Sequence, residues 1–473
     1  MIEPRDGAGG GDLTVSVGGT TVVATDVVLA QAAILRYTHI QAGEWKSRVA
    51  SIRALDSDGP RNRASQETDL PLHWAEAALG HLEQRSGDLV VSLMDAAERY
   101  GRTERAAMQL ALLGSAKVGY DLGLFRNLVL LLAAGPAAKA ALAWQSWAGG
   151  STRRPQALDP RLLTNPSVVL LTKLTVSSLD EVVAGGYGMP FPVALALGNS
   201  GLGLTGASGT ALGVLALGRS GGRFREGPVR VAAVGAPIPA RPPAGVGDLA
   251  ANIPKAVEGQ PQVRIERYGT PGHWSWAVYV GGTVDWDSVA MTEPWDLTAN
   301  VSAMARQNSG SYEAVMQAMD AAGITSGDPV VLAGHSQGGL IATQVAASGA
   351  FDVRAVVTLG APESPMPVPP GVATLTVEHT DDIVTASGGA SLIDSDDRVT
   401  VRREAFVSAP LPEGEVLPAH HLDTYRETAR LIDASPETTL QGFRDTVTGA
   451  LGSAPGEAFL WRGIRLPERP VPQ

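Results

Sequence analysis

The feature that most constrains this chain is an alternation that begins near residue 245. Short stretches, several of them nearly all apolar, recur at Val263–Tyr268, Trp274–Val280, Val330–Ala333, Ala355–Leu359, Thr374–Glu378 and Val399–Phe406. Between them lie stretches of helical pattern such as Tyr312–Ala322, Leu340–Ala347 and Leu422–Asp433. Strands buried on both faces of a parallel sheet lose the polar half of the usual alternation. Strand and helix in turn, at these lengths, predict an α/β domain with a doubly wound, mainly parallel sheet.

A chain of 473 residues is too long for one ordinary domain, and three zones are expected. Residues 1–150 read as an all-helical region. Val27 to Ala54 has the pattern of one amphipathic helix, and a second helical stretch runs from Leu72 to about Leu113 after the polar break Asp56-Ser57-Asp58-Gly59-Pro60. An antiparallel hairpin is the economical arrangement. Residues 151–244 read as a Gly- and Pro-rich connecting or lid-like segment, with the Pro-rich stretch Gly235 to Pro243 as a domain boundary. Residues 245–473 form the expected α/β domain.

Composition excludes several classes. With no cysteine in the sequence, disulfides, thiolate metal sites and a cysteine nucleophile are ruled out. A net charge of −11, spread along the chain, gives no basic footprint for nucleic acid. The nearest approach to a membrane span, Asn127 to Ala138, is short of the roughly 20 residues such a helix needs. The N-terminus has no basic-then-apolar leader pattern, so the expectation is a cytoplasmic protein or one secreted without such a leader. The frequent Ala, Val, Gly and Arg suggest a bacterial source.

Two segments fit Gly-x-Ser-x-Gly, around Ser220 and around Ser336. A nucleophilic serine of this type needs a strand, a tight turn and then a helix, which hold its oxygen above the sheet edge. Ser336 has that setting: Pro329-Val330-Val331-Leu332-Ala333 precedes it and Leu340 to Ala347 follows. Ser220 instead runs into Arg223-Phe224-Arg225-Glu226-Gly227-Pro228, where glycine and proline end a helix early, so it reads as a loop serine. A hydroxyl needs a base to take its proton and an acid to orient the base. Downstream of Ser336 only His379, His420 and His421 are present. His379 ends the strand after which the acid is expected, and Asp381 and Asp382 follow it. The acid is therefore Asp381 or Asp382, and the base His420 or His421.

These residues resemble the α/β-hydrolase superfamily, and within it the class 3 lipases and related bacterial hydrolases, over roughly residues 245 to 435. Gly334-His335-Ser336-Gln337-Gly338-Gly339 matches the lipase elbow Gly-His-Ser-x-Gly-Gly. His379-Thr380-Asp381-Asp382-Ile383-Val384 is similar to His-x-x-Asp-Ile-Val-Pro, with Thr385 in place of the proline, and implies Asp382 as the acid. Val280-Gly281-Gly282-Thr283 is similar to Phe-Arg-Gly-Ser/Thr without its Phe-Arg pair. That likeness implies Thr283 in an oxyanion hole, with the Gln337 N–H as the other donor. His420 with Tyr425 five positions on matches the lipase spacing and implies His420 as the base.

The resemblance implies an ester or thioester hydrolase acting through an acyl-serine on a small acyl ester, with no metal or organic cofactor. Two other readings accompany it. One is acyl transfer or amide hydrolysis on the same fold. The other is a secretion-associated or partner-binding protein, engaging a protein through its N-terminal helices, whose hydrolase half is inactive or secondary. The segment Tyr100-Gly101-Arg102-Thr103-Glu104 after the second helix is similar to the Tyr-x-x-x-Asp/Glu signal of type VII secretion substrates, although their Trp-x-Gly turn is missing.

Overall fold

The structure, a computed structural model, describes residues 13–17, 20–22, 26–57, 72–90, 160–177, 207–389, 395, 397–407, 410–412 and 415–466. They belong to two units. The smaller takes in Thr14–Ser16 and Thr20–Ala106, and the larger is chiefly Ala107–Gln473.

In the smaller unit, strands β1 (Thr14–Val17) and β2 (Thr20–Val22) precede a long helix, Asp26–Ser57. Residues 72–90 are also helical. The two helices run antiparallel. His39 Nδ1–H donates to the Glu83 carbonyl at 2.8 Å, and seven residues further along the first helix Lys46 pairs with the Glu83 carboxylate at 3.0 Å. Gly87 faces His39, whereas Gly80 faces Lys46. The all-helical expectation fails at β1 and β2, where β-branched threonines and valines suit an extended backbone. The expected second helix beyond residue 90 and the Tyr100–Glu104 signal lie outside the described residues.

In the larger unit, strands β3 (Val229–Ala240), β4 (Val263–Thr270), β5 (His273–Val280), β6 (Pro329–His335), β7 (Asp352–Leu359), β8 (Ala373–His379), β9 (Arg398–Arg403) and β10 (Gly456–Arg465) lie in the order β9-β8-β7-β6-β5-β4-β10-β3. Pairing is parallel from β5 to β9 and antiparallel at β4, β10 and β3. The unit is α/β with a mixed sheet.

Within this sheet the strands β5 to β9 lie side by side in chain order. Right-handed crossovers taken in one direction place their helices on one face, and the helix Gln337–Ser348 packs there on β6 and β7. Helices from outside the parallel run, Val246–Asn252 and Thr438–Leu451, pack on the same two strands. β6 is buried at every residue from Val330 to His335, so both of its faces are covered.

The core is built on that sheet. Val263, Ile265, Trp276, Val278, Leu332 and Val356 meet Leu340 and Ile341 of the helix after β6. Of the Pro-rich stretch expected to close a connecting segment, Gly235 to Ala240 belong to β3, the edge strand paired with β10. Proline lacks the ladder donor and is tolerated at a sheet edge.

Candidate active site

Four loops leave the carboxyl edge of the parallel strands close to one another, and Ser336 sits on the tightest. It stands between β6 and the helix Gln337–Ser348 with φ 54° and ψ −124°, a backbone state that non-glycine residues rarely adopt. The turn holds it there. Ser336 N–H donates to the Leu359 carbonyl at 2.9 Å. A Cβ on Gly334 would fall 2.2 Å from the Gly338 carbonyl oxygen, and one on Gly338 would fall 2.2 Å from that of Val280. Only glycines permit a turn this close to its own helix and to the end of β5. The second match to the motif differs as expected: Ser220 is exposed and closes the helix Ala207–Ser220, so a helix and not a strand leads into it.

His420 reaches Ser336 from the short turn Pro418–His420 after β9. Its Nε2 lies 2.9 Å from Ser336 Oγ, and its Nδ1 lies 2.7 Å from Asp382 Oδ2. A carboxylate only accepts, so Nδ1 carries the proton and Nε2 offers its lone pair to the serine hydroxyl. Asp382 caps the short helix Ile383–Ala386, its Oδ1 accepting from Val384 N–H at 2.9 Å, and its Oδ2 also accepts from the Tyr425 hydroxyl at 2.8 Å. Burial pushes the Asp382 carboxyl up, but His420 beside it, with the Val384 and Tyr425 donors, holds it below its ordinary pKa. Burial, and then the Asp382 charge, raise the Tyr425 phenol well above its ordinary value, so it stays a donor.

The alternatives lie elsewhere. Asp381 accepts from Ala405 and Phe406 N–H, both at 3.0 Å, which fixes the start of the loop after β9 and leaves no bond to a histidine. His421 is half exposed and pairs with Glu415 at 3.2 Å. Of the two pairs open from the spacing, the geometry brings Asp382 and His420 to Ser336, and not Asp381 or His421.

Thr283 follows β5 on a segment pressed against the elbow. A Cβ on Gly282 would lie 3.3 Å from Ser336 Cβ and 3.0 Å from His335 Nδ1. The Thr283 hydroxyl oxygen accepts from Asn300 Nδ2 at 2.8 Å, which leaves its hydrogen free to donate. The Gln337 side chain is tied back to Ser311 Oγ and the Asp296 carbonyl, at 3.1 and 3.4 Å. What Gln337 can offer Ser336 is therefore its backbone N–H, at the first helical position, where no intrahelical acceptor exists.

Asn300 and the Tyr425 bond to Asp382 went unread in the sequence. Tyr425 had a signal, its spacing from His420; Asn300 had none. Among the described residues, no cluster of three or more His, Asp or Glu side chains is placed to hold a metal, and no helix is long and apolar enough to cross a membrane. The chain matches no protein-family model, no curated protein and no solved structure.

Proposed function

We propose that the larger unit is a serine hydrolase with an α/β-hydrolase type of site. More narrowly, it is a lipase- or esterase-like enzyme that cleaves a carboxylic ester or thioester through an acyl-serine intermediate. The observation that carries this is the unbroken bond chain Ser336–His420–Asp382, with the serine held at positive φ after a parallel strand.

In this reading His420 Nε2 takes the Ser336 proton as Oγ attacks the acyl carbon. Asp382 keeps the proton on Nδ1 and stabilises the imidazolium that forms. The negative oxygen of the tetrahedral intermediate is held by the Thr283 and Gln337 N–H groups, with the Thr283 hydroxyl as a third donor. Collapse breaks the bond to the alcohol or thiol, which leaves with the proton from His420. Water, deprotonated by the same imidazole, then attacks the acyl-serine and returns the serine with the acid as product.

A panel of nitrophenyl esters with acyl chains from two to sixteen carbons tests the reading. The wild-type chain hydrolyses at least one member, and Ser336→Ala lowers that kcat by about 10⁴-fold or more. Equal rates for the two proteins would sink it.

A further inference from the structure

The last residues of β6 and β8 are both buried histidines, His335 and His379, and the reaction above uses neither. Their ring nitrogens converge on one short stretch. His335 Nε2 lies 2.9 Å from the His420 carbonyl oxygen, and His379 Nδ1 lies 2.7 Å from that of Ala419. Neither carbonyl accepts a backbone N–H among the described residues: the turn bonds use Leu417 and Pro418, and the following helix begins on His421.

The bonds around each ring fix its tautomer. A carbonyl only accepts, so His335 carries its proton on Nε2. At His379, Arg403 Nη1 donates to Thr428 Oγ1 at 2.9 Å, and Thr428 Oγ1 lies 2.8 Å from His379 Nε2. The Ala419 carbonyl only accepts, so the His379 proton sits on Nδ1 and the Thr428 hydroxyl donates to the Nε2 lone pair. Each neutral imidazole thus spends its single N–H on the base loop. Burial keeps both neutral, holding His335 at about 3 and His379 at about 4. His379 also stacks on the Tyr425 ring, 3.8 Å between centroids, and donates its own backbone N–H to the Tyr425 hydroxyl that supports Asp382.

Resting on the reading of His420 as the base, we propose that His335 and His379 are positioning residues that moor its backbone to the strands carrying the nucleophile and the acid. The need is physical. Among the described residues between β9 and the turn Pro418–His420, no strand or helix fixes the chain. Asp382 orients the imidazole but does not set where its Cα lies. A shift of about 1 Å in a reacting group costs on the order of 100-fold in rate.

The test exploits isosteres, measured on the full chain. A glutamine amide nitrogen takes the place of Nε2, and an asparagine amide nitrogen that of Nδ1. His335→Gln and His379→Asn keep the donor in place and retain kcat on a nitrophenyl ester within about threefold. His335→Asn and His379→Gln displace it and lose about 10- to 100-fold in kcat, with KM within about twofold. All four keep a polar side chain, so the contrast within each pair does not depend on an apolar replacement folding. In a His420→Ala background the contrast vanishes, because the mooring acts through the base; a general loss of structure would persist there. Equal rates within each pair, or a contrast that survives His420→Ala, would overturn the inference. A fluorophosphonate probe that leaves wild-type Ser336 unlabelled would instead remove the catalytic reading, and the mooring with it.

Discussion

Asp382 Oδ2 accepts two hydrogen bonds at once, from His420 Nδ1 and from the Tyr425 hydroxyl. Removing the second alone separates support of the acid from support of the base. Tyr425→Phe keeps the stacked ring but leaves the buried carboxylate one donor short and the His379 N–H without its acceptor. The expected result is a fall in kcat of about 3- to 30-fold with KM little changed, the pattern of an interaction that matters in the transition state. Stopped assays on the two proteins at saturating ester would show it. At this scale the sequence was informative because the motif residues are local. The elbow glycines at 334 and 338 are demanded by contacts within a few residues and with the end of β5. It could not separate Asp381 from Asp382 or His420 from His421 by spacing alone. Neighbours one position apart differ only in which way the backbone turns them, and here that is decided by Ala405 and Phe406, which claim Asp381.

The elements that position the site come from distant parts of the chain. Arg465, near the end of β10 and 4 % exposed, makes two bonds to the Asp296 carboxylate at 2.6 and 3.1 Å and two to Glu226, the shorter at 2.8 Å. Asp296 in turn caps the helix Leu297–Met304, which carries Asn300 to Thr283. Burial raises the pKa of both carboxyls and Arg465 lowers it. Arg465→Leu would strand the buried Asp296 and the partly buried Glu226 and is expected to lower stability by about 3–5 kcal/mol, read as a drop in the denaturant midpoint. A shift under about 1 kcal/mol would contradict the role given to the cluster. The parallel strands were legible as apolar runs, but β3 and β10 were not. β3 is exposed from Ala232 to Pro239 and β10 alternates irregularly, and Pro237 and Pro239 in β3 read as linker until the pairing with β10 is known.

Across the whole molecule, buried titratable groups set how stability follows pH. His335 and His379 have folded values of about 3 and 4 against an ordinary 6.5. The unfolded chain therefore binds more protons between those limits. The stability they contribute is complete above pH 6.5 and is lost as pH falls towards 4 and 3. Glu226, Glu293, Asp296 and Asp381 have raised values and act the other way, losing stability as pH rises through their folded values. Comparing variants isolates one histidine from this sum. Urea unfolding at pH 7 and pH 5 should show His379→Asn losing about 2 kcal/mol less than wild type over that interval. Identical pH slopes would contradict the neutral buried imidazole. At this scale the sequence was least informative. The helices Val246–Asn252 and Thr438–Leu451 both pack on β6 and β7, yet they flank the parallel run from opposite ends of the unit, a pairing that no local pattern shows.

The central claim is that Ser336 is an activated nucleophile, and a fluorophosphonate probe reads that directly. Incubated with the full chain and followed by peptide mapping by mass spectrometry, it should add one phosphonyl group, on Ser336. Labelling should disappear in Ser336→Ala and slow by about 100-fold or more in His420→Ala. A wild-type protein that stays unlabelled, or equal labelling of wild type and Ser336→Ala, would contradict the account.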